Sequence, residues 1–267
     1  MDFLEERKNI KQSYIICSTG RSGSTLLGRS LKKLGCCGNP EEYFHHRVKI
    51  EPLKLKENSD NFLNYCNLIF QEGRTDNGVF GIKMHWWQMY EFLKMAKKVP
   101  QFKDKQDLEI LNIVFPNLQF IYIWRENILA QAVSTSIALQ TKVWEKGKNT
   151  KNKNSENKEK PILKFKPLNI YDWKQKLKDQ NQRWKVFLKE NDLEYHELTY
   201  EKLVGNFERE MNNVLDFLKI DKSLISEKIE MEMKKQSTNT NQKFIKSYTM
   251  FPELLLRVGY KIKTFIK

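Results

Sequence analysis

The clearest candidate for chemistry in this chain is residues 18–25, a run of glycines and hydroxyl-bearing side chains that contains one arginine, Arg21. An apolar run of the buried-strand type precedes it at residues 14–17, and leucines recur at helical spacing over residues 26–34. A strand, a glycine-containing loop and a helix N-terminus together bind anions, because free backbone N–H groups point at the ligand and the helix dipole favours negative charge. We therefore expect this stretch to hold a phosphate or a sulfate.

The spacing within the loop argues against two common phosphate-binding motifs. A Walker A loop contains Gly-Lys-Ser/Thr, which this chain lacks, so an ordinary ATPase or GTPase is not expected. A cysteine phosphatase loop needs a longer spacer than the three residues that separate Cys17 from Arg21. The phosphosulfate loop of sulfotransferases, in which a strand leads into a basic residue, Ser-Gly-Ser/Thr-Thr and a helix, matches the sequence. A plain helix-capping turn with an incidental arginine uses the same residue types and stays open.

A second candidate is the acidic pair Glu41 and Glu42, which follows the helix-breaking residues 35–40. A bound anion repels a nearby carboxylate, so a carboxylate at this place in the sequence suggests a general base for an incoming hydroxyl. A solvated acidic turn is the alternative, because most surface carboxylates have no further role. Both interpretations remain open from these residues alone.

A third candidate is Arg125, which follows the strongest apolar stretch of the chain, residues 118–124. An arginine at the carboxyl end of a strand and before a helix lies where open α/β sheets bind ligands. We therefore expect a second anion-binding position there, close in sequence to Ser134 on the ensuing helix. An arginine that pairs with solvent or with a nearby acid is the alternative.

The hydrophobic pattern supplies elements that can position these residues. Strands are predicted at residues 14–17, 79–84, 118–124 and 195–199, with helical segments between them. This alternation is typical of parallel βαβ units, so we predict an α/β fold with a central, mostly parallel sheet flanked by helices. Trp86 follows the second strand and either lines a pocket or packs in the core. A further helix is predicted at about residues 222–235.

Length and charge limit the classes of protein. The 267 residues suffice for one large domain, and we predict a single domain over residues 1–267. The 47 Lys and Arg against 33 Asp and Glu give a net charge of +14, which favours anionic partners. Because arginines and aromatics are not clustered, an anionic small molecule is expected rather than nucleic acid. Residues 146–160 are almost entirely Lys, Asn, Glu and Ser and are predicted to form a mobile insertion, with a lid as an alternative.

Other features concern the compartment and metals. The four cysteines lack the spacing of a disulfide framework and no secretory signal precedes them, so a reducing cytoplasm is predicted. No apolar run reaches the roughly 20 residues of a membrane span. Cys36-Cys37 and His45-His46 lack the spacing of metal ligands, so no metal is expected.

In chain order, the candidate motifs resemble the trehalose sulfotransferase family of bacteria. The likeness covers most of the chain, from about residue 13 to about residue 220. The segments that carry it are Arg21-Ser22-Gly23-Ser24-Thr25-Leu26-Leu27, Pro40-Glu41-Glu42-Tyr43-Phe44, Gly81-x-Lys83-x-x-Trp86, Arg125-x5-Gln131-Ala132-Val133-Ser134 and Gln140-Thr141-x2-Trp144. The ordered set is much more specific than any one of these motifs.

The resemblance implies a P-loop-like sulfotransferase fold and 3′-phosphoadenosine 5′-phosphosulfate (PAPS) as the sulfuryl donor, with no metal. It implies that the 5′-phosphosulfate is held by the loop residues Arg21, Ser22, Gly23, Ser24 and Thr25, and the 3′-phosphate by Arg125 and Ser134. Glu42 matches the family's general base, with Arg21 assisting in catalysis. The acceptor is expected near Tyr43, Trp86, Gln131 and Trp144.

The acceptor implied is a hydroxyl of a carbohydrate, glycolipid or other alcohol, with a trehalose-like sugar as one candidate. Residues 146–160 and the stretch after residue 220 depart from the family pattern. Members of the family can dimerise, which leaves a homodimer open. A competing class is a non-catalytic P-loop-like module that binds a phosphorylated nucleotide or RNA. Glu42 separates the two classes, because a binder gains nothing from a carboxylate beside its anion.

Overall fold

The computed structural model of the chain describes residues 4–51, 53–55, 58–144, 162–225, 227–231 and 239–265. The predicted insertion at residues 146–160 lies outside the described residues. Contacts divide the chain into two compact units, neither of which is a continuous segment. The first comprises Met1–Trp124 and Gln180–Glu230, and the second comprises Arg125–Asp179 and Met231–Lys267. This division does not test the single-domain prediction, which stays a prediction.

A four-stranded parallel sheet forms the centre of the first unit. Its strands are β1 (Gln12–Ser18), β2 (Val79–His85), β3 (Leu118–Trp124) and β4 (Tyr195–Thr199). They lie in the order β2-β1-β3-β4, and all three neighbouring pairs are parallel. The four predicted strands are therefore present, and the predicted α/β fold with a parallel sheet flanked by helices is confirmed.

Ten α-helices connect and surround these strands within the described residues. They are α1 (Ser24–Lys33), α2 (Ser59–Gly73), α3 (Trp86–Ala96), α4 (Asp107–Val114), α5 (Ile128–Thr141), α6 (Pro167–Glu190), α7 (Tyr200–Gly205), α8 (Phe207–Phe217), α9 (Asn239–Thr249) and α10 (Glu253–Phe265). Short 3₁₀ turns occupy Glu5–Asn9, Pro100–Phe102 and Lys222–Leu224, and a π-helical turn occupies His46–Ile50. Every helix in the described part of the chain is too short or too polar to cross a lipid bilayer.

The core of the first unit explains why β1 reads as an uninterrupted apolar run. Residues 13–18 are all buried, because β1 pairs with a strand on each side and is covered on both faces. An aromatic cluster packs on this sheet, in which Phe80 of β2 lies edge-on against Phe70 and stacks on Phe115. Aromatic pairs in these arrangements stabilise the fold by more than the burial of their apolar surface alone. The sheet is therefore a firm support for the loops at its carboxyl edge.

The second unit has its own apolar cluster. It is formed by side chains of α5, the first half of α6, α9 and α10, namely Ala132, Val133, Ile170, Tyr171, Leu177, Phe244, Tyr248 and Leu256. Within it, Tyr171 packs against Tyr260 with ring centroids 5.4 Å apart. These helices hold one another through a shared apolar face.

The predicted helix at residues 222–235 is wrong over its described part. The structure has a single 3₁₀ turn at Lys222–Leu224, in which the Asp221 carboxylate accepts a hydrogen bond from the backbone N–H of Ser223. Residues 227–231 are not helical. Leu224 and Met231 are 48% and 41% exposed, so these two apolar side chains bury little surface that could support a helix. A helix without a buried face is marginal in water.

Candidate active site

The loop between β1 and α1 has the backbone of an anion-binding turn. Arg21 and Gly23 both adopt left-handed conformations, with φ of +65° and +95°. The backbone N–H of Ser22 donates to the carbonyl of Thr19, 3.2 Å away, which closes the turn before α1 begins at Ser24. The N–H groups in the first turn of a helix lack partners within the helix, so this turn presents them to a ligand.

Gly23 is required at its position for two reasons. Its φ of +95° is one that side chains rarely allow, and a β-carbon at this residue would lie 2.7 Å from Cδ2 of Tyr200, the first residue of α7. The tyrosine ring thus packs directly against the loop backbone. The glycine of the sequence motif therefore serves both the turn and this close contact.

A buried hydroxyl in the loop points to a ligand. Ser22 is fully buried, and among the described residues its Oγ has no hydrogen-bond partner. A buried polar group without a partner costs about 1–3 kcal/mol, so such groups are normally satisfied. An anionic oxygen held by this loop would satisfy it. The loop therefore fits the phosphate or sulfate that its sequence predicts.

The base of the loop is fixed by α6. Trp184 is fully buried and its Nε1 donates a 2.9 Å hydrogen bond to the carbonyl oxygen of Ser18, the last residue of β1. One residue on, the Thr19 hydroxyl donates to Oδ1 of Asn181 at 3.4 Å. Two contacts from one helix therefore set where the chain leaves the sheet and enters the loop.

The strand register brings the ends of β1 and β2 together. Ser18 lies opposite His85, so the last residues of β2 flank the start of the anion loop. Lys83 is the central residue of this arrangement. Its side chain is 4% exposed, and its Nζ lies 3.1 Å from Oγ1 of Thr25 in α1 and 3.1 Å from Oε1 of Glu42. One buried ammonium group therefore joins the loop to the candidate base.

Glu42 reaches this position because the segment before it runs along β2. The backbone of Glu41 forms an isolated parallel bridge with Ile82, and the N–H of Lys83 donates to the carbonyl of Glu41 at 3.0 Å. The side chain of Glu41 points to the surface, where it pairs with Lys32 at 3.6 Å and is 51% exposed. The two carboxylates of the acidic pair thus have different environments, and only that of Glu42 faces the loop.

Two further side chains contact the Glu42 carboxylate. Nε2 of Gln88 donates to Oε2 at 3.0 Å, and Nε2 of His85 lies 3.6 Å from Oε1. Gln88 is oriented by its own backbone contact, because its Oε1 accepts a 2.7 Å hydrogen bond from the N–H of His85 at the start of α3. The other ring nitrogen of His85 lies 3.0 Å from the hydroxyl of Ser18. The carboxylate is therefore held in one orientation.

Electrostatics keep Glu42 ionised. Burial raises the pKa of its carboxyl, but the charges of His85, when protonated, and of Lys83, together with hydrogen bonds from Lys83 and Gln88, outweigh it and lower the pKa to about 2. Burial lowers the pKa of His85 below its ordinary value, although Glu42 acts in the opposite direction. The imidazole is thus neutral at neutral pH, and Lys83 supplies the positive charge next to Glu42.

The remaining predicted residues lie in several environments. Tyr43 is 4% exposed, stacks on Phe80 at 6.0 Å and donates a hydrogen bond to the carbonyl of Asn39. Its ring is almost entirely enclosed in this conformation, and its role toward the acceptor stays a prediction. Trp86 is half-buried, with its ring edge-on to Trp184 at 5.0 Å.

In the second unit, the other predicted residues are arranged along or beside α5. Gln131 is buried and Ser134 half-buried on this helix, and Trp144 follows its end with 45% exposure. Arg125 comes directly after β3 in the chain. Their roles toward donor and acceptor stay predictions. Among the described residues, no group of three or more His, Cys, Asp and Glu side chains is arranged to hold a metal.

Sequence reasoning did not assign His85, Gln88, Asn181 or Tyr200 to the site. Lys83 appeared within a motif, without a role. A usable signal existed for Lys83 and His85, because the carboxyl ends of neighbouring parallel strands meet at one edge of a sheet. No such signal exists for Asn181 and Tyr200, which contact the loop from helices distant in the chain.

The fold is α/β with a parallel sheet, and a candidate anion-binding loop lies at the carboxyl end of its strand β1. The chain belongs to the Stf0 sulphotransferase family, whose sequence pattern matches residues 13–250. It is therefore a sulfotransferase.

Two curated relatives are both trehalose 2-sulfotransferases. The one from Mycobacterium tuberculosis (strain ATCC 35801 / TMC 107 / Erdman) is 26% identical over 235 residues, which cover 79% of this chain and 85% of the relative. The one from Mycolicibacterium smegmatis (strain ATCC 700084 / mc(2)155) is 30% identical over 156 residues, covering 49% of this chain and 58% of the relative. Among solved structures, the sulfotransferase domain of the Synechococcus PCC 7002 olefin synthase covers 91% of this chain and 96% of its own, with 14% identity and a TM-score of 0.42. No conclusion rests on that weak structural likeness.

Proposed function

We propose that this protein transfers the sulfuryl group of PAPS to a hydroxyl of a carbohydrate or glycolipid, and that Glu42 is the general base. The observation that carries the proposal is the position of Lys83, whose ammonium lies 3.1 Å from both Glu42 and Thr25. A candidate base and a candidate anion loop therefore meet within one unit of the protein. The names of the two curated relatives make a trehalose-like sugar the first acceptor to test.

The loop residues fit a phosphosulfate group. The first turn of α1 offers backbone N–H donors, and the buried Ser22 hydroxyl has an unused hydrogen-bonding group directed at no described residue. Arg21, Ser24 and Thr25 add a guanidinium and two hydroxyls to this set. Donors that are fixed before the reaction stabilise developing charge without reorganisation. This fit supports the assignment of the 5′-phosphosulfate to residues 21–25.

The reaction is an in-line displacement at sulfur. The acceptor oxygen forms a bond to sulfur, the bond between sulfur and the bridging oxygen of the 5′-phosphate breaks, and adenosine 3′,5′-bisphosphate leaves with that oxygen. The hydroxyl proton passes to the Glu42 carboxylate. Negative charge grows on the leaving phosphate, so the loop donors and Arg21 are worth more in the transition state than in the ground state.

The other contacts of donor and acceptor follow from the family resemblance alone. Arg125 and Ser134 are proposed to hold the 3′-phosphate. The acceptor is proposed to contact Tyr43, Trp86, Gln131 and Trp144. A guanidinium that binds a phosphate with two hydrogen bonds suits the first role, and an aromatic ring that stacks on a sugar suits the last. No metal is included, because arginines and amides can supply the charge.

Binding of adenosine 3′,5′-bisphosphate, measured by calorimetry with and without EDTA, tests the donor assignment. We expect binding that does not depend on magnesium and is much tighter than that of ATP with magnesium. Arg21→Ala should weaken it at least about tenfold, because a charge-assisted contact is lost. Tighter binding of ATP with magnesium would reject PAPS as the donor. An unchanged affinity in the Arg21→Ala variant would reject the loop as the site of its phosphosulfate. Formation of sulfated trehalose from PAPS then tests the acceptor.

Compartment, oligomeric state and nucleic-acid binding are separate matters. All four cysteines are buried free thiols, which supports the proposed reducing cytoplasm. A homodimer and the absence of nucleic-acid binding stay predictions. Light scattering and an RNA-binding assay on the purified protein test them.

A further inference from the structure

Glu42 poses a chemical problem in the structure as it stands. A general base works best when its pKa lies near the operating pH. Although burial acts in the opposite direction, the charges of protonated His85 and of Lys83, with hydrogen bonds from Lys83 and Gln88, lower the pKa of the Glu42 carboxyl to about 2. At neutral pH the Lys83 ammonium 3.1 Å away still holds this pKa down, so the carboxylate is a weak acceptor for the proton of a sugar hydroxyl. A transferase that uses Glu42 must therefore change the surroundings of this carboxylate during its reaction cycle.

Lys83 is the group whose contact can change. Its ammonium is buried and touches both Glu42 and Thr25, so it needs no large movement to turn from the carboxylate toward the loop. An anion bound by the loop would be a second acceptor for the same three N–H donors. Because the loop binds a more highly charged group than a carboxylate, the competition favours the bound donor.

The other polar groups around Glu42 do not supply an alternative positive charge. His85 of β2 is uncharged at neutral pH, and Gln88 of α3 is neutral. His45, which lies near His85, acts to lower the pKa of that imidazole further. Among these described neighbours, Lys83 is therefore the positive charge that acts on Glu42 at neutral pH, and protonated His85 adds to it only in acid. A shift of this one contact changes the basicity of the carboxylate.

We propose that Lys83 is a positioning residue that restrains Glu42 in the donor-free protein and transfers its contact to the phosphosulfate when PAPS binds. Glu42 thereby becomes an effective base only after the donor is in place. This inference rests on the proposed function, since it requires an anionic donor at residues 21–25 and Glu42 as the base. It also gives the reaction an order, in which donor binding precedes activation of the acceptor hydroxyl.

A double-mutant cycle on the affinity for adenosine 3′,5′-bisphosphate measures the exchange. Glu42→Gln removes the competitor for Lys83, so we expect the affinity to rise about tenfold. In the Lys83→Met background there is no ammonium to release. Glu42→Gln should then raise the affinity less than about threefold, because only the repulsion between the carboxylate and the bound anion is removed. Glu41→Gln is the matched control and should leave the affinity unchanged, because Glu41 pairs with the exposed Lys32.

The pH dependence of the wild-type enzyme provides a test that needs no variant to fold. With saturating PAPS, kcat/KM for the acceptor should fall on the acid side with an apparent pKa above the ordinary glutamate value of about 4.3. Glu42→Gln should lose this acid limb. A profile that stays flat down to pH 4 would mean that Lys83 still holds Glu42 in the donor complex, which would overturn the inference.

The outcomes separate this inference from the proposed function. If the wild type fails to bind adenosine 3′,5′-bisphosphate, the donor assignment itself is wrong. If it binds and transfers sulfate but the effects of Glu42→Gln are equal in both backgrounds, only the exchange by Lys83 is rejected. In a Lys83→Arg background, which keeps the positive charge, Glu42→Gln should again raise the affinity by most of the expected tenfold.

Discussion

The ring of Tyr200 lies so close to Gly23 that a β-carbon on the glycine would be 2.7 Å from Cδ2 of the tyrosine. This contact joins α7 to the anion loop across more than half the length of the chain. It means that the loop conformation depends on a packed aromatic side chain as well as on backbone freedom. The first prediction follows from it.

Gly23→Ala should disrupt donor binding. The new methyl group meets the Tyr200 ring and the residue must keep a φ of +95°, so the loop is expected to shift. We expect the affinity for adenosine 3′,5′-bisphosphate to fall at least about tenfold, at a cost to stability of roughly 1–3 kcal/mol. Gly20→Ala is the control in the same loop, since a β-carbon there meets no atom within 4 Å. Equal effects of the two variants would contradict this account of Gly23.

Glu42→Gln should reduce turnover while keeping the fold. Loss of a general base lowers kcat by about 10²-fold or more, and glutamine preserves the size of the side chain. Steady-state kinetics with PAPS and the best acceptor measure the effect. Glu41→Gln should retain nearly full activity, because its side chain is exposed and pairs with Lys32. A fully active Glu42→Gln variant would remove this residue from the mechanism.

Glu42 should also make stability depend on pH. Its pKa is lower in the folded protein, at about 2, than the reference value of 4.5, so its ionised form stabilises the fold above pH 4.5. This contribution is lost as the pH falls from 4.5 toward 2. The side chain is 27% exposed, so solvent weakens this effect. We expect the free energy of unfolding of the wild type to exceed that of Glu42→Gln by about 2 kcal/mol at pH 7, and by progressively less below pH 4.5.

Urea unfolding of both proteins at several pH values from 7 down to about 3.5 measures this difference. Glu41→Gln provides the comparison, because its exposed pair should contribute no more than about 1 kcal/mol. A gap between wild type and Glu42→Gln that does not narrow on acidification would mean that the carboxylate is not held by Lys83 and protonated His85.

Trp184→Phe should weaken the support of the loop. Phenylalanine fills much of the same space but cannot donate to the carbonyl of Ser18, which then stays buried without this partner. We expect a loss of about 2 kcal/mol in the free energy of unfolding, together with weaker donor binding. Thermal unfolding and calorimetry measure the two effects. Trp86→Phe, at the half-buried ring that packs against Trp184, should cost less and leave the Ser18 contact in place.

The family resemblance also predicts a role for Arg125 that can be measured directly. Arg125→Ala should lower the affinity for adenosine 3′,5′-bisphosphate at least about tenfold, yet change the affinity for adenosine 5′-monophosphate little, because only the former carries a 3′-phosphate. An equal loss for both nucleotides would assign Arg125 to a different part of the donor.

Local patterns made much of the fold predictable. The run at residues 14–17 reads as a buried strand, and residues 118–124 and 195–199 coincide with β3 and β4, because side-chain type and period act over a few neighbouring residues. The same reasoning failed over the described part of residues 222–235, where only a 3₁₀ turn forms and Leu224 and Met231 stay exposed. Tyr43 followed the acidic pair in a motif, yet the fold buries its ring in the core.

The sequence by itself determined the family, the strand-loop-helix of the anion site and, through the family resemblance, Glu42 as the candidate base, since each is a short, contiguous signal. Only the tertiary structure decided that Glu41 pairs with Lys32 at the surface, and that Lys83 joins Glu42 to Thr25, 58 positions away in the chain. The same is true of Trp184, which binds the end of β1 from 166 residues further along. Such pairings depend on strand order, register and packing, and these arise from the balance of contacts over the whole chain rather than from any local run of residues.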